Sequence, residues 1–223
     1  FGSRPFWPKI GESVASAAKA PMCAAKKGVR SLLAELSERR LRTAAVGAAP
    51  PVPLTVGRCL NEGAEPAFVE EVEARLRLVF PPALRELFAC ADGQRPGTPG
   101  LWVVPKNRSL SFLAVKEARD LALYWRERAE HPMDQRWWKE SGYNPSWIPV
   151  GYSAKLSVAL VVSCNGGRVV RFTTPDAQIS HSTVPTQHLA ESLEEYLVDL
   201  TDHLSGDRQP FVAGKAAPQA AAL

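Results

Sequence analysis

The spacing of hydrophobic residues changes along the chain from a helical period to an alternating one. Apolar side chains recur three or four positions apart in the first half, which is the pattern of amphipathic helices. This spacing predicts helices over 28–43, 66–79, 82–91 and 115–130, and a closing helix around 189–200. Several short helices therefore precede the part of the chain that is rich in strands.

Short apolar runs bounded by turn residues predict the strands. They cover 101–105, 110–114, 147–153, 156–164 and 168–174, with 178–184 as a further candidate. Asn165-Gly166-Gly167 lies between the last two firm strands and is a strong hairpin signal. Helices, a strand meander and a last helix together predict an α+β domain. We expect N-terminal helices packed on a small mixed or antiparallel sheet, with a closing C-terminal helix.

The stretch VFPPALRELFACADG (79–93) predicts two short helices that meet at a sharp angle. Pro81 and Pro82 end the first helix, since a residue before proline is disfavoured in the α region. The same prolines suit the first turn of the next helix. Asp92-Gly93 is expected to end that helix, with the glycine in left-handed geometry.

Charge is distributed unevenly over the 223 residues, although apolar (45%) and charged (22%) contents are those of ordinary globular proteins. Residues 1–57 carry nine Lys/Arg against three Asp/Glu, and the remainder carries eighteen against twenty. We expect a basic N-terminal arm, which either contacts RNA, an anionic surface or an acidic partner, or is simply solvated. No apolar run is long enough to predict a membrane span.

Cysteine usage favours free thiols and a reducing, intracellular compartment, because the four cysteines are far apart in a chain of this length. The first residues are rich in Ala, Ser and Lys and almost free of acids. This composition is typical of organelle-targeting segments, so a mitochondrion or plastid is an alternative to the cytoplasm. Since the chain begins with Phe1, we expect a fragment or a processed leader.

Residues that could perform catalysis do not fall into a recognisable motif. Cys164 and His181 could form a nucleophile–base pair, but structural thiols at Cys90 and Cys164 are the simpler interpretation. The histidines lack metal-ligand spacing, and no nucleotide-binding loop occurs. We therefore expect a protein that is not an enzyme, with no cofactor.

Tryptophan and arginine alternate in one short region. Trp125, Trp137, Trp138 and Trp147 fall within 23 residues and are interleaved with Arg and Lys, including Arg136. Three interpretations remain open: core packing, a protein interface, or stacking on single-stranded bases. We expect Arg136, Trp137 and Trp138 to bind a protein partner.

The helix predicted at 28–43 is a second candidate for partner binding. A Pro/Ala-rich linker follows it, so we expect a helix that can reach a groove on another protein. The residues that would make this contact are Leu32, Leu33, Leu36, Arg39 and Arg40.

Three motifs in the order found here resemble the SUKH superfamily, which includes fungal cell-wall assembly regulators and many bacterial toxin-immunity proteins. The first runs from Phe80-Pro81 through an apolar helical stripe to Asp92-Gly93. The second is WIPVG (147–151), and the third is the final helix in AESLEEYLVDL (190–200). Many relatives place a glycine-rich turn and an acidic residue after the second motif, whereas this chain reads YSAKLSVALVVSC (152–164).

Together the motifs span about residues 66–204. We expect a single SUKH-like domain over 58–204, with the basic arm (1–57) before it and a flexible tail (205–223) after it. The resemblance implies a non-catalytic protein-interaction module, which we expect to act as an adaptor or accessory subunit of a larger complex. One alternative is an immunity-type inhibitor of a toxin. The other is an accessory subunit that contacts RNA through the arm.

Overall fold

The computed structural model describes residues 27–40, 54–105, 108–174 and 186–206. The helices in these ranges are α1 (Val29–Ser37), α2 (Val56–Cys59), α3 (Pro66–Leu76), α4 (Pro82–Cys90), α5 (Val115–Glu130), α6 (Gln135–Glu140) and α7 (Leu193–Ser205). The strands are β1 (Trp102–Val104), β2 (Arg108–Phe112), β3 (Trp147–Ser153), β4 (Val158–Ser163), β5 (Val169–Thr173) and β6 (Gln187–Ala190).

The six strands form one curled sheet in sequence order, β1 to β6, and each pairs antiparallel with the next. The sheet was predicted to be mixed or antiparallel, and it is antiparallel. The predicted α+β class is confirmed. Gly166 and Gly167 make the turn between β4 and β5 with φ of +98° and +73°, a conformation that glycine adopts at little cost.

Helices cover both faces of the sheet. One face, which we call the α7 face, packs against α1, α4 and α7, and it carries Leu110, Leu160 and Val169. The opposite face, the α5 face, packs against α5 and α6 and carries Val161 and Phe172. Every side chain of β4 is buried because it lies between these two layers.

Helix α1 belongs to the core, which corrects the expectation of a helix that extends from the domain. Its apolar stripe contacts α7, α4 and α2. The four residues of the stripe, Val29, Leu32, Leu33 and Leu36, are at most 4% exposed. An amphipathic helix gains its stability from burying this stripe, and the groove between α4 and α7 provides the nearest apolar surface. The predicted division between an arm (1–57) and the domain therefore does not separate α1 from the core.

The proline pair joins α3 to α4 as predicted, but Asp92-Gly93 has a different role. Pro82 begins α4, and Gly93 has the expected positive φ of +78°. The helix has already ended at Cys90, however, and Asp92 Oδ1 accepts a hydrogen bond of 2.6 Å from the backbone N–H of Val115. Asp92 thus satisfies a donor at the start of α5 instead of stopping α4.

Three local predictions differ from the structure. Helix α6 lies inside a predicted loop, and α2 lies at the end of the predicted arm. Leu189 lies in β6 and not in the closing helix. The predicted strand at 178–184 and the predicted tail beyond Gly206 lie outside the described residues.

Candidate protein-binding surface

Helix α5 is held in place at both ends by polar contacts. Near its start, the Glu117 carboxylate accepts a hydrogen bond of 2.9 Å from the backbone N–H of Ala114. In its fourth turn, Arg126 donates to the carbonyl oxygens of Leu76 and Pro145, both at 2.6 Å. The Glu117 bond caps the first turn of α5, and the two Arg126 bonds attach α5 to the end of α3 and to the segment before β3.

An aromatic cluster fills the space between α5, α6 and the α5 face of the sheet. Trp125, Trp138, Tyr143, Trp147 and Phe172 form it, with ring centroids as close as 5.0 Å for Trp138–Tyr143 and 5.5 Å for Trp125–Phe172. Burial among these rings raises the pKa of the Tyr143 phenol to about 12. The cluster is a rigid base for the surface above it, since such rings pack closely in few arrangements.

Helix α6 and the turn just before it expose large side chains. Met133 is 81% exposed and Trp137 is 48% exposed. Arg136 is also exposed, and its Nε donates to the Glu140 carboxylate at 2.8 Å, one helical turn away. We call the surface formed by Met133, Arg136 and Trp137 the α6 ledge.

The two neighbouring tryptophans of α6 point in different directions. Consecutive helical residues differ by about 100° around the axis, so both cannot face the sheet. Trp138 is 1% exposed and anchors α6 in the aromatic cluster. Its neighbour Trp137 is consequently directed toward solvent.

Several residues predicted to bind a partner are not on the surface. Trp138 is in the aromatic cluster, and Leu32, Leu33 and Leu36 are in the core. Their apolar side chains are used within the domain, so in this conformation they are not available to a partner. This corrects the expectation drawn from the sequence for these four residues.

The charged residues of the same prediction lie at the surface. Arg136 is on the α6 ledge, and Arg40 is exposed after the end of α1. Arg39 is half-buried and donates to Glu35 at 3.2 Å, a pairing that leaves it less free to contact an anion.

The family model of the SMI1 / KNR4 family (SUKH-1) matches residues 63–199, more than half of the chain. The chain belongs to this SUKH family. A comparison with the curated proteins found no match. The matched region begins before α3 and ends within α7, so α1 and α2 precede it.

The second SUKH motif has a specific packing role in this structure. Gly151 lies at an irregularity in the pairing of β3 and β4, where the register shifts between Pro149 and Gly151. A Cβ atom on Gly151 would come within 2.5 Å of the Trp102 indole, whose Nε1 donates to the carbonyl of Val150 at 2.7 Å. The glycine therefore makes room for Trp102 in the core.

A cleft of about 380 Å³ lies on the α7 side of the sheet, away from the α6 ledge. The start of α4, the start of α7 and the β4–β5 turn line it, with Pro81, Pro82, Leu193 and Cys164 among its residues. Burial raises the pKa of the Cys164 thiol to about 11, so the thiol is protonated at neutral pH and is a poor nucleophile. Its predicted partner His181 lies outside the described residues.

Among the residues that the structure describes, no group of three or more His, Cys, Asp or Glu side chains is placed to hold a metal ion. The helices of the same residues include none long and apolar enough to cross a bilayer.

Met133 is the residue of the ledge that sequence reasoning missed. It lies between α5 and α6, in a stretch that the sequence predicted as a polar loop, and the burial of Trp138 in the structure shows which neighbours are exposed. The grouping of methionine, arginine and tryptophan in HPMDQRWW (131–138) is the sequence signal that could have indicated an interface.

Proposed function

We propose that this SUKH protein is a non-catalytic interaction module that binds a partner protein through the α6 ledge, and that it acts as an adaptor or accessory subunit. The observation that carries the proposal is the exposure of Met133 and Trp137 in and just before α6, the helix that Trp138 anchors in the aromatic cluster. Family membership supports binding as the function, because SUKH proteins include immunity proteins and cell-wall regulators.

The chemistry of the α6 ledge suits the centre of an interface. Tryptophan and arginine are enriched among the residues that contribute most to binding, and methionine adapts to the shape of a partner. Trp137 offers a large apolar area that a partner can cover, and Arg136 can exchange its exposed contact with Glu140 for a carboxylate on the partner.

The rigid base beneath the ledge reduces the entropy lost on binding. Trp138 and Tyr143 fix α6 against the sheet, so its backbone is ordered before the partner arrives. Less freedom is then lost when Trp137 is buried, which increases affinity without additional contacts.

Affinity capture with matched variants tests the proposal. Full-length wild type, Trp137→Ala, Met133→Ala and a control, Val198→Ala, would be used as baits in an extract of the source. Val198 is 41% exposed on α7, away from the ledge. Every protein that wild type and Val198→Ala both capture is carried forward, whether or not Trp137→Ala captures it.

The captured partner is then purified and its Kd measured against each variant. We expect Trp137→Ala to weaken binding at least about 30-fold, which corresponds to ~2 kcal/mol, and Val198→Ala to change it less than about twofold. Equal affinity for wild type and the double variant Met133→Ala/Trp137→Ala would overturn the proposed surface.

Inhibition of a toxin is a second candidate, which the family match favours because the family includes immunity proteins. Co-expression with the captured partner distinguishes the two functions. An inhibitor restores growth of cells that express a toxic partner, whereas an adaptor binds a partner that is not toxic.

A further inference from the structure

Arg171 is a buried arginine on the apolar α7 face of the sheet. It lies on β5 and pairs across the sheet with Leu160, a core residue of β4. Successive residues of a strand point to opposite faces, and the neighbours Val170 and Phe172 are on the α5 face. The Arg171 side chain is therefore on the α7 face, and the residue is 7% exposed.

The charge of Arg171 is not compensated within the described residues. Its buried Nε has no hydrogen-bond partner there, and no carboxylate of residues 27–40, 54–105, 108–174 or 186–206 forms an ion pair with it. Burying an unpaired charge costs several kcal/mol, so natural proteins rarely do so without a partner. Within the described residues, the charge therefore lacks the partner that such burial normally requires.

Two further polar groups lie on the same face. Arg108 is two residues before the core residue Leu110 on β2, which places both on the α7 face. Thr173 follows Arg171 by two residues, and its Oγ1 is buried without a hydrogen-bond partner among the described residues. Burial lowers the pKa of Arg171, and the nearby positive charge of Arg108 lowers it further.

We propose that Arg171, Arg108 and Thr173 form a binding site for the phosphate group of a small ligand. Guanidinium groups bind phosphate oxygens with two parallel hydrogen bonds, and a hydroxyl donates a third. A phosphate monoester carries a charge of about −1.5 to −2 at neutral pH, whereas a carboxylate carries a single negative charge. Phosphate therefore balances the charge of two arginines better than one carboxylate. The ligand would pair the charge that the described residues leave unpaired.

This site differs in place and chemistry from the α6 ledge. The ledge is above the α5 face and binds apolar surface, whereas the arginines are on the α7 face and bind an anion. The inference does not rest on the proposed function, and either can fail alone.

The experiment measures thermal unfolding of the full-length chain as inorganic phosphate is added. Sodium chloride at equal ionic strength is the control for screening, and succinate is the control for a carboxylate dianion. The variants are Arg171→Met, Arg108→Gln and a matched control, Arg168→Gln, whose exposed side chain pairs with Glu191 at 3.1 Å.

A saturable rise in Tm with phosphate is expected for wild type and Arg168→Gln. Arg108→Gln should require at least about tenfold more phosphate for the same rise, and Arg171→Met should show no saturable rise. In the absence of phosphate, Arg171→Met should have a Tm equal to or above that of wild type, because a buried charge with no partner among the described residues has been removed.

Three results would overturn the assignment: no saturable rise for wild type, an equal rise for Arg171→Met, or an equal effect of succinate. A general effect of phosphate on protein stability would act on all variants alike and would count as the second result. If Arg171→Met does not fold, Arg108→Gln decides the question, since Arg108 is half-buried and its loss leaves the core intact.

Discussion

Arg85 on α4 donates two parallel hydrogen bonds to the carboxylate of Glu73 on α3, from Nε to Oε1 and from Nη2 to Oε2, both at 2.9 Å. Glu73 Oε1 also accepts from the backbone N–H of Phe80. One buried carboxylate thus fixes the position of α4 relative to α3 across the proline pair. This is why two short helices can meet sharply in the stretch VFPPALRELF (79–88).

Replacing Glu73 with Ala should lower the free energy of unfolding by about 2–3 kcal/mol. The substitution leaves the N–H of Phe80 buried without an acceptor and removes the partner of Arg85. Urea unfolding monitored by circular dichroism measures the change. Glu71→Ala is the control, because Glu71 is an exposed residue of the same helix and should change stability by less than about 0.5 kcal/mol. Equal effects of the two substitutions would contradict the role of Glu73.

Replacing Gly151 with Ala should cost about 1–3 kcal/mol of stability. The added methyl group would come within 2.5 Å of the Trp102 indole, and close-packed cores tolerate additional volume poorly. The urea midpoint measures the loss. Gly166→Ala serves as a comparison, since its Cβ would have no atom within 4 Å and the cost there comes from its φ of +98° alone. A variant Gly151→Ala as stable as wild type would show that Trp102 can move aside.

The neighbouring tryptophans of α6 should respond in opposite ways to truncation. Trp138→Ala should cost about 3–5 kcal/mol because it leaves a cavity in the aromatic cluster. Trp137→Ala should cost less than about 1 kcal/mol, since the side chain is 48% exposed. Chemical denaturation of both variants tests this. If Trp137→Ala were the more destabilising change, the assignment of inner and outer faces of α6 would be wrong.

Alkylation of Cys164 by iodoacetamide should follow the raised pKa of its thiol. Burial shifts the pKa from 9.0 to about 11, so the thiolate fraction at neutral pH is about a hundredfold lower than that of an unperturbed thiol. The rate, measured by mass spectrometry of the Cys164 peptide, should rise between pH 9 and 11. The folded state favours the protonated thiol, because its pKa is above that of the unfolded state. The free energy of folding that this proton contributes is therefore complete below pH 9 and is lost as the pH rises to about 11. A rate that levels off below pH 9 would contradict the shift.

Helix α1 should contribute to the stability of the whole domain. Leu36→Ala is expected to cost about 3 kcal/mol, because Leu36 is fully buried between α1 and its neighbours. Ser31→Ala, an exposed position on the same helix, should change stability by less than about 0.5 kcal/mol. Denaturation by urea compares the two. A negligible effect of Leu36→Ala would restore the idea of a helix that is independent of the domain.

The accuracy of the sequence predictions depended on the length and regularity of each element. Strand β3 has the predicted bounds, 147–153, because a short apolar run marks it. Helix α5 has its predicted bounds, 115–130, because its helical period extends over its full length. Helix α6 was missed because six residues include fewer than two turns, too short for a helical period to be visible. Strand β6 was missed because QHLA (187–190) has little strand character.

Long-range partners could not be predicted at all. The spacing of Leu32, Leu33 and Leu36 shows that α1 buries one face, but not that α4 and α7 provide the surface. A Pro/Ala linker suggested separation, although linker composition does not decide where a helix docks. Likewise nothing in VVRFT (169–173) shows that the charge of Arg171 has no partner among the described residues.

The orientation of α6 also gives the molecule its own optical reporter. Of the tryptophans within the described residues, Trp102, Trp125, Trp138 and Trp147 are buried, and only Trp137 is exposed. A water-soluble quencher such as iodide can therefore reach one indole of this part of the chain and not the other four. In a Trp7→Phe variant, which lacks the one tryptophan outside the described residues, protection of that emission on adding a partner would report contact at the ledge without any label attached to the protein.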